Sequence, residues 1–122
     1  MKKLIFITLL LTLISCNYGK NGIIVEIKNS SNKTIQNITF LTDENTKLAF
    51  DKIMPNQAVE KFLDMTNNHK SDGAYVLLFE RENEEKEQTV SGYYTNGVSL
   101  DKKVECEINN DTVFMKYSGI QY

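Results

Sequence analysis

Ala74-Tyr75-Val76-Leu77-Leu78-Phe79-Glu80-Arg81 is the stretch on which the fold turns. Its apolar residues run from Tyr75 to Phe79 without a break, so an extended segment here carries hydrophobic side chains on both faces. Such a strand belongs in the interior of a sheet. One face meets a second sheet, and the other needs cover from loops or from a partner.

Period-two patterning continues on either side. Ile23, Val25 and Ile27 alternate with Glu26 and Lys28, and Asn29 to Lys33 reads as a turn. A second strand runs from about Thr34 to Thr42 with Ile38 and Phe40 on one face; Ile35 is out of step with them, which predicts a bulge near Asn37. Leu48 and Phe50 mark a third strand, ending at Ile53-Met54 before the turn pair Pro55-Asn56. Residues 57–65 fit a short helix or an irregular strand, and their neighbours favour strand. Asn67 to Gly73 is loop. Beyond Glu82-Asn83-Glu84-Glu85-Lys86-Glu87 comes a strand from Gln88 to Tyr94, and then Asn96-Gly97, a pair suited to a turn with positive φ. Val104, Cys106 and Ile108 alternate with Lys103, Glu105 and Glu107; Asn109-Asn110-Asp111 then turns the chain into Val113, Met115 and Tyr117.

Seven to eight short strands with a turn signal about every ten residues describe an all-β chain, an antiparallel β-sandwich of immunoglobulin-like type. A small β-barrel is the alternative. The chain has no Trp, so the Cys–Trp–Cys pattern of antibody domains is missing. Neither an internal repeat nor a second domain is visible.

The N-terminus is of a different character. Met1-Lys2-Lys3 is positively charged, and Leu4 to Ile14 is an unbroken run of apolar residues and Thr, too short to span a bilayer but suited to a signal peptide. It ends in Leu13-Ile14-Ser15-Cys16, an aliphatic residue, a tolerant position, a small residue and a cysteine. This tetrapeptide resembles the lipobox read by lipoprotein signal peptidase, and the chain thereby resembles a small bacterial envelope lipoprotein. The resemblance implies that residues 1–15 are removed and that the Cys16 sulfur carries a diacylglycerol thioether. Two or more acyl chains would hold the protein stably on its membrane. Residues 16–22 then form a lipidated tether and 23–122 a single domain. The six residues after Cys16 reach at most ~20 Å when extended, so the domain stays close to lipid. Asn17, where Asp resembles an inner-membrane retention signal, favours the outer membrane, facing the periplasm.

Loss of Lys2 and Lys3 with the signal lowers the basic residues from 14 to 12 against 16 acidic ones. A mildly acidic domain without a basic cluster is a poor partner for nucleic acid. After residue 16, no apolar run is long enough to cross a membrane.

Residues suited to catalysis are few. His69, the sole histidine, sits in a polar loop and reads as solvated surface. One His and one unmodified Cys in the mature chain cannot make a usual structural zinc site, and no cofactor motif is present. Cys106 shares the parity of Val104 and Ile108, which directs it to the core as an inert thiol. The run Glu80, Glu82, Glu84, Glu85, Glu87 lacks the Asp and Gly of a calcium loop; a solvated hairpin tip with splayed carboxylates fits better, able to steer a basic partner. Of Tyr93 and Tyr94, adjacent on a strand, one ring should point in and one out, and the exposed ring with Asn96 would make a binding platform. Asp111-Thr112-Val113 matches a short O-glycosylation motif of Bacteroidetes envelope proteins.

The sequence therefore describes a non-catalytic, lipid-anchored binding module with a protein partner, acting at the envelope through Glu82, Glu84 and Glu85 or through Tyr93, Tyr94 and Asn96. The tether pins one end to the membrane, so these loops are expected at the end remote from it. The alternatives are an immunity protein that plugs a toxin's basic site and a structural subunit of an envelope assembly.

Overall fold

The computed structural model describes residues 20–120; the signal segment 1–15, Cys16 and the tether up to residue 19 lie outside them. Nine strands follow one another: β1 (Gly22–Asn29), β2 (Ile35–Asp43), β3 (Thr46–Phe50), β4 (Ala58–Asp64), β5 (Gly73–Arg81), β6 (Lys86–Thr95), β7 (Val98–Ser99), β8 (Asp101–Ile108) and β9 (Val113–Ile120). They form a four-stranded sheet, β4-β1-β8-β9, and a five-stranded sheet, β3-β2-β5-β6-β7. The two sheets stack as a sandwich whose inward residues form one core, from Ile23, Val25 and Ile27 to Val104, Cys106 and Ile108. The expected two-layered sandwich is what the chain forms, with two differences. There are nine strands, one of only two residues, and β1 pairs with β8 in parallel, from Ile24–Lys103 to Asn29–Ile108. The remaining ladders are antiparallel.

The segment 57–65 resolves into β4, with Leu63 facing the core. The bulge in β2 lies where Ile35 required it: the register against β5 shifts between Gln36 and Thr39, and Asn37 takes φ 50°. One extra residue lets Ile35, Ile38 and Phe40 all point inward. The third strand stops at Phe50 rather than at Met54. Ile53 reaches the core through an isolated bridge to Ile35, because exposed Asp51 and Lys52 carry the chain out to solvent in between. Tyr75 on β5 is the centre of the aromatic core. Its ring stacks on Phe40 at 5.5 Å and on Tyr117 at 5.8 Å, Tyr94 meets its edge at 5.5 Å, and its hydroxyl donates to Ser99 Oγ at 2.8 Å.

Asn21, just before β1, ties the N-terminal segment to the β4–β5 loop and to the segment of β7. Its amide donates to the Met65 carbonyl at 2.9 Å and to the Gly97 carbonyl at 3.1 Å, its side-chain oxygen accepts from the Ser99 N–H, and its own carbonyl accepts from the Met65 N–H. These contacts begin two residues before position 23; an anchor on Cys16 would leave residues 17–20 between it and Asn21, a reach of at most ~14 Å. This end of the sandwich also holds the β4–β5 loop and the β6–β7 turn. At the opposite end, Asn29 joins three segments: its amide donates to the Lys33 and Ile53 carbonyls, both at 2.8 Å, and its oxygen accepts from Ser31.

Candidate binding surface

The outer faces of both sheets carry charged and apolar side chains, differently arranged. On the four-stranded sheet, the register sets Glu60, Glu26, Glu105 and Lys116 in one row. Lys103 beside it reaches Glu60 at 3.3 Å, Glu26 at 3.5 Å and Glu105 at 3.8 Å. Its ammonium is held above the usual lysine range, chiefly by the Glu60 hydrogen bond. Such exposed pairs add little stability, and the same face also exposes Phe114 and Ile120 on β9.

The five-stranded sheet turns an apolar strip outward. Leu41, Val76 and Val90 lie side by side across β2, β5 and β6, and Leu78 follows one step along β5. Val90 is 57% exposed, and Val76 and Leu78 are half-buried. The outer face of β5, expected to need cover from loops or a partner, is half-buried at Val76 and Leu78 among the described residues. Beside the strip, toward the Asn37 bulge, an open groove of about 520 Å³ is lined by Thr39, Ala49, Phe50, Glu80 and Lys86, with Asn37 bonded to Glu80.

Tyr93 extends the strip. Strict alternation from Val90 would turn Tyr93 inward, but the register shifts between Gly73 and Tyr75, where β6 carries Gly92 at φ 75°. The extra residue reverses the phase, leaving Tyr93 49% exposed and Tyr94 6% exposed. Tyr93 and Tyr94 thus divide as expected, one out and one in. Tyr94 packs on Tyr75 and belongs to the core, with no ring surface to offer. The Tyr93 hydroxyl donates to Asp72 Oδ2 at 3.1 Å, and the Asn96 N–H donates to Asp72 Oδ1 at 2.9 Å. Asn96 and Gly97 both have positive φ in a two-residue turn closed by Thr95–Val98. The glycine in mid-strand was the one available signal of the bulge.

The two candidate patches occupy opposite ends of the sandwich. Tyr93 and Asn96 neighbour the Gly97 carbonyl held by Asn21, which puts them at the end of the sandwich where the N-terminal segment enters, the end from which they were expected to be remote. Only the 82–87 tip lies at the distal end, and its carboxylates do not all splay. Glu84 pairs with Lys33 at 3.0 Å, and Glu87 with Arg81 at 2.7 Å. Arg81 is 5% exposed, because it follows Phe79 on the inward parity of β5; it also donates to the Asn109 carbonyl at 2.5 Å. Glu82 and Glu85 remain as the solvated part of the tip.

Cys106 is 1% exposed, and burial pushes its thiol up to about 12. His69 is exposed, its Nδ1 3.2 Å from the Ser71 hydroxyl. Among the described residues, no three His, Cys, Asp or Glu side chains gather at metal-binding spacing.

No protein-family model matches this chain, and no curated protein matches it in sequence. Among solved structures it is similar to the NMR structure of a protein from Eubacterium rectale, with a TM-score of 0.54 at 13% identity over 84% of this chain and 93% of that one. At that identity the likeness is one of fold alone.

Proposed function

We propose that this chain is a non-catalytic binding module, held by lipid on Cys16 at the bacterial outer membrane facing the periplasm, which docks a protein partner on the outer face of its five-stranded sheet. The observation that carries this reading is the continuous row of Leu41, Val76 and Val90 across three strands, which with Leu78 and Tyr93 forms an apolar strip ending in an aromatic ring. The tether of at most ~14 Å keeps that strip near lipid, so the partner is a membrane-proximal one. An immunity function through the acidic tip would rest on Glu82 and Glu85, since Glu84 and Glu87 are already paired.

Two experiments test this. Cys16→Ser should abolish incorporation of radiolabelled lipid; normal maturation of that variant would remove the anchor. A photo-crosslinking residue placed at Val90 in living cells should capture a discrete adduct, while the same probe at Glu105 should not. Adducts from Glu105 alone would move the docking face to the other sheet.

A further inference from the structure

Two asparagines of the chain stand directly before a glycine, in Asn21-Gly22 and Asn96-Gly97. Such a pair is prone to lose the side-chain amide, because a glycine has no Cβ to hinder attack by its nitrogen on the preceding asparagine's side-chain carbonyl. The fold brings both pairs to one end of the sandwich and into contact, the Asn21 amide donating to the Gly97 carbonyl at 3.1 Å. Their surroundings are opposite in kind.

The Asn21 side chain is engaged at both ends. Besides the Gly97 bond, its amide donates to the Met65 carbonyl at 2.9 Å, and its oxygen accepts from the Ser99 N–H at 3.3 Å. Gly22 is buried in β1 opposite Asp64, where an added Cβ would overlap the Leu63 carbonyl and the Phe62 ring. Turning the Asn21 carbonyl carbon onto the Gly22 nitrogen would break three side-chain bonds at the start of a packed ladder. Asn96 is exposed, and its side chain makes no hydrogen bond with the described residues; its backbone N–H is held by Asp72 Oδ1 at 2.9 Å. The attacking nitrogen, that of Gly97, is held by one bond, to the Ser71 carbonyl at 2.8 Å. The Gly97 carbonyl that Asn21 and Asn68 bind belongs to the next peptide unit. The turn itself is closed by β7, a strand of two residues.

We infer that Asn96 is a deamidation site of the folded protein, and that the fold keeps Asn21 intact. Local opening of the turn releases the Gly97 nitrogen from Ser71. Hydroxide takes its proton, and the nitrogen bonds to Asn96 Cγ. The Cγ–Nδ2 bond breaks, and Nδ2 takes a proton from water and leaves as ammonia, which closes a cyclic imide. Water then adds to one of the two imide carbonyls and reopens the ring. The product is aspartate, or isoaspartate with a main chain one methylene longer. One water is consumed and one ammonia released. Either product places a new carboxylate beside Asp72, which already accepts from the Tyr93 hydroxyl and the Asn96 N–H. Like charges repel there, and isoaspartate also lengthens the turn that carries Gly97 against Ser71 and Asn21. Modification at Asn96 therefore loosens the contacts of this end. The site depends on neither the lipid anchor nor the docking face.

The test is peptide mass spectrometry of the full-length chain, purified in detergent and held folded in mildly alkaline buffer. Each hydrogen bond that must open lowers the reactive population, so Asn96 should convert at least about tenfold faster than Asn21. Part of the product should be isoaspartate, detected by its enzymatic methylation. In urea the two sites should convert at similar rates, since a glycine follows each of them. Equal loss at the two sites in the folded chain, an Asn96 that converts only in urea, or a preference for Asn96 that persists in urea would overturn the assignment.

Discussion

Gly92 of β6 lies against the phenol ring of Tyr117 on β9, one of the few places where those two strands touch. A Cβ at Gly92 would stand inside contact distance of the ring carbons and the hydroxyl, and the backbone there has φ 75°. Gly92→Ala meets both obstacles at once. Left-handed backbone costs about 1–2 kcal/mol for a residue with a Cβ. With displacement of the ring added, the variant should lose at least ~2 kcal/mol in urea unfolding, and its near-ultraviolet circular dichroism should change.

Tyr117 and Tyr75 should respond oppositely to the same change. The Tyr75 hydroxyl has a hydrogen bond to Ser99, whereas the Tyr117 hydroxyl is sealed from water with no completed bond, Ser91 easing it only loosely. Tyr75→Phe should cost about 1 kcal/mol, and Tyr117→Phe should be neutral or stabilising by up to about 1 kcal/mol. Thermal unfolding of the two variants side by side checks the sign.

Alkaline pH should unfold this domain. Burial raises the Cys106 thiol and the Tyr75 phenol to about 12 and pushes Tyr117 higher. An acid whose folded pKa lies above its unfolded value favours the folded state below the unfolded pKa and loses that contribution as pH rises toward the folded one. For Cys106 the loss runs from about 9 to about 12. Stability should therefore hold below pH 9 and fall above it. At neutral pH Cys106 should resist thiol reagents until denaturant is added, and Cys106→Ala should cost about 1 kcal/mol as a small cavity.

Asn21→Ala should loosen the start of the domain. It removes two donated bonds and one accepted bond between the residue that precedes β1 and the Met65, Gly97 and Ser99 backbone. A loss of about 1–3 kcal/mol is expected, with faster proteolysis just before Gly22.

Within the acidic tip, equal charges should carry unequal weight. Glu85→Gln removes a solvated charge and should leave stability within about 0.5 kcal/mol. Glu87→Ala strips buried Arg81 of its 2.7 Å partner and should cost at least ~2 kcal/mol. Denaturant midpoints of the two variants decide this.

Much of the fold was legible because alternation is a local property. Ile23, Val25 and Ile27, or Val104, Cys106 and Ile108, declare their inward face through period two alone, and Cys106 is buried as that parity required. Ile35 out of step announced the Asn37 bulge, and Asn96-Gly97 announced a turn, because few residues other than Asn and Gly accept positive φ readily. Long-range pairing was not legible. Parity says which side chains share a face but not which strand lies alongside, so the parallel β1–β8 ladder had no signature in either segment.

The same limit governs the candidate site. The sequence by itself determined the faces of most strands, the in-and-out division of Tyr93 and Tyr94 and the apolar outer side of β5. Only the tertiary structure decided that Tyr93 sits at the Asn21 end of the sandwich, that Leu41 and Val90 extend the β5 strip, and that Arg81 and Lys33 draw in two of the tip's carboxylates. Each of those outcomes depends on residues far apart in the chain, brought together by sheet order and by burial of a shared core.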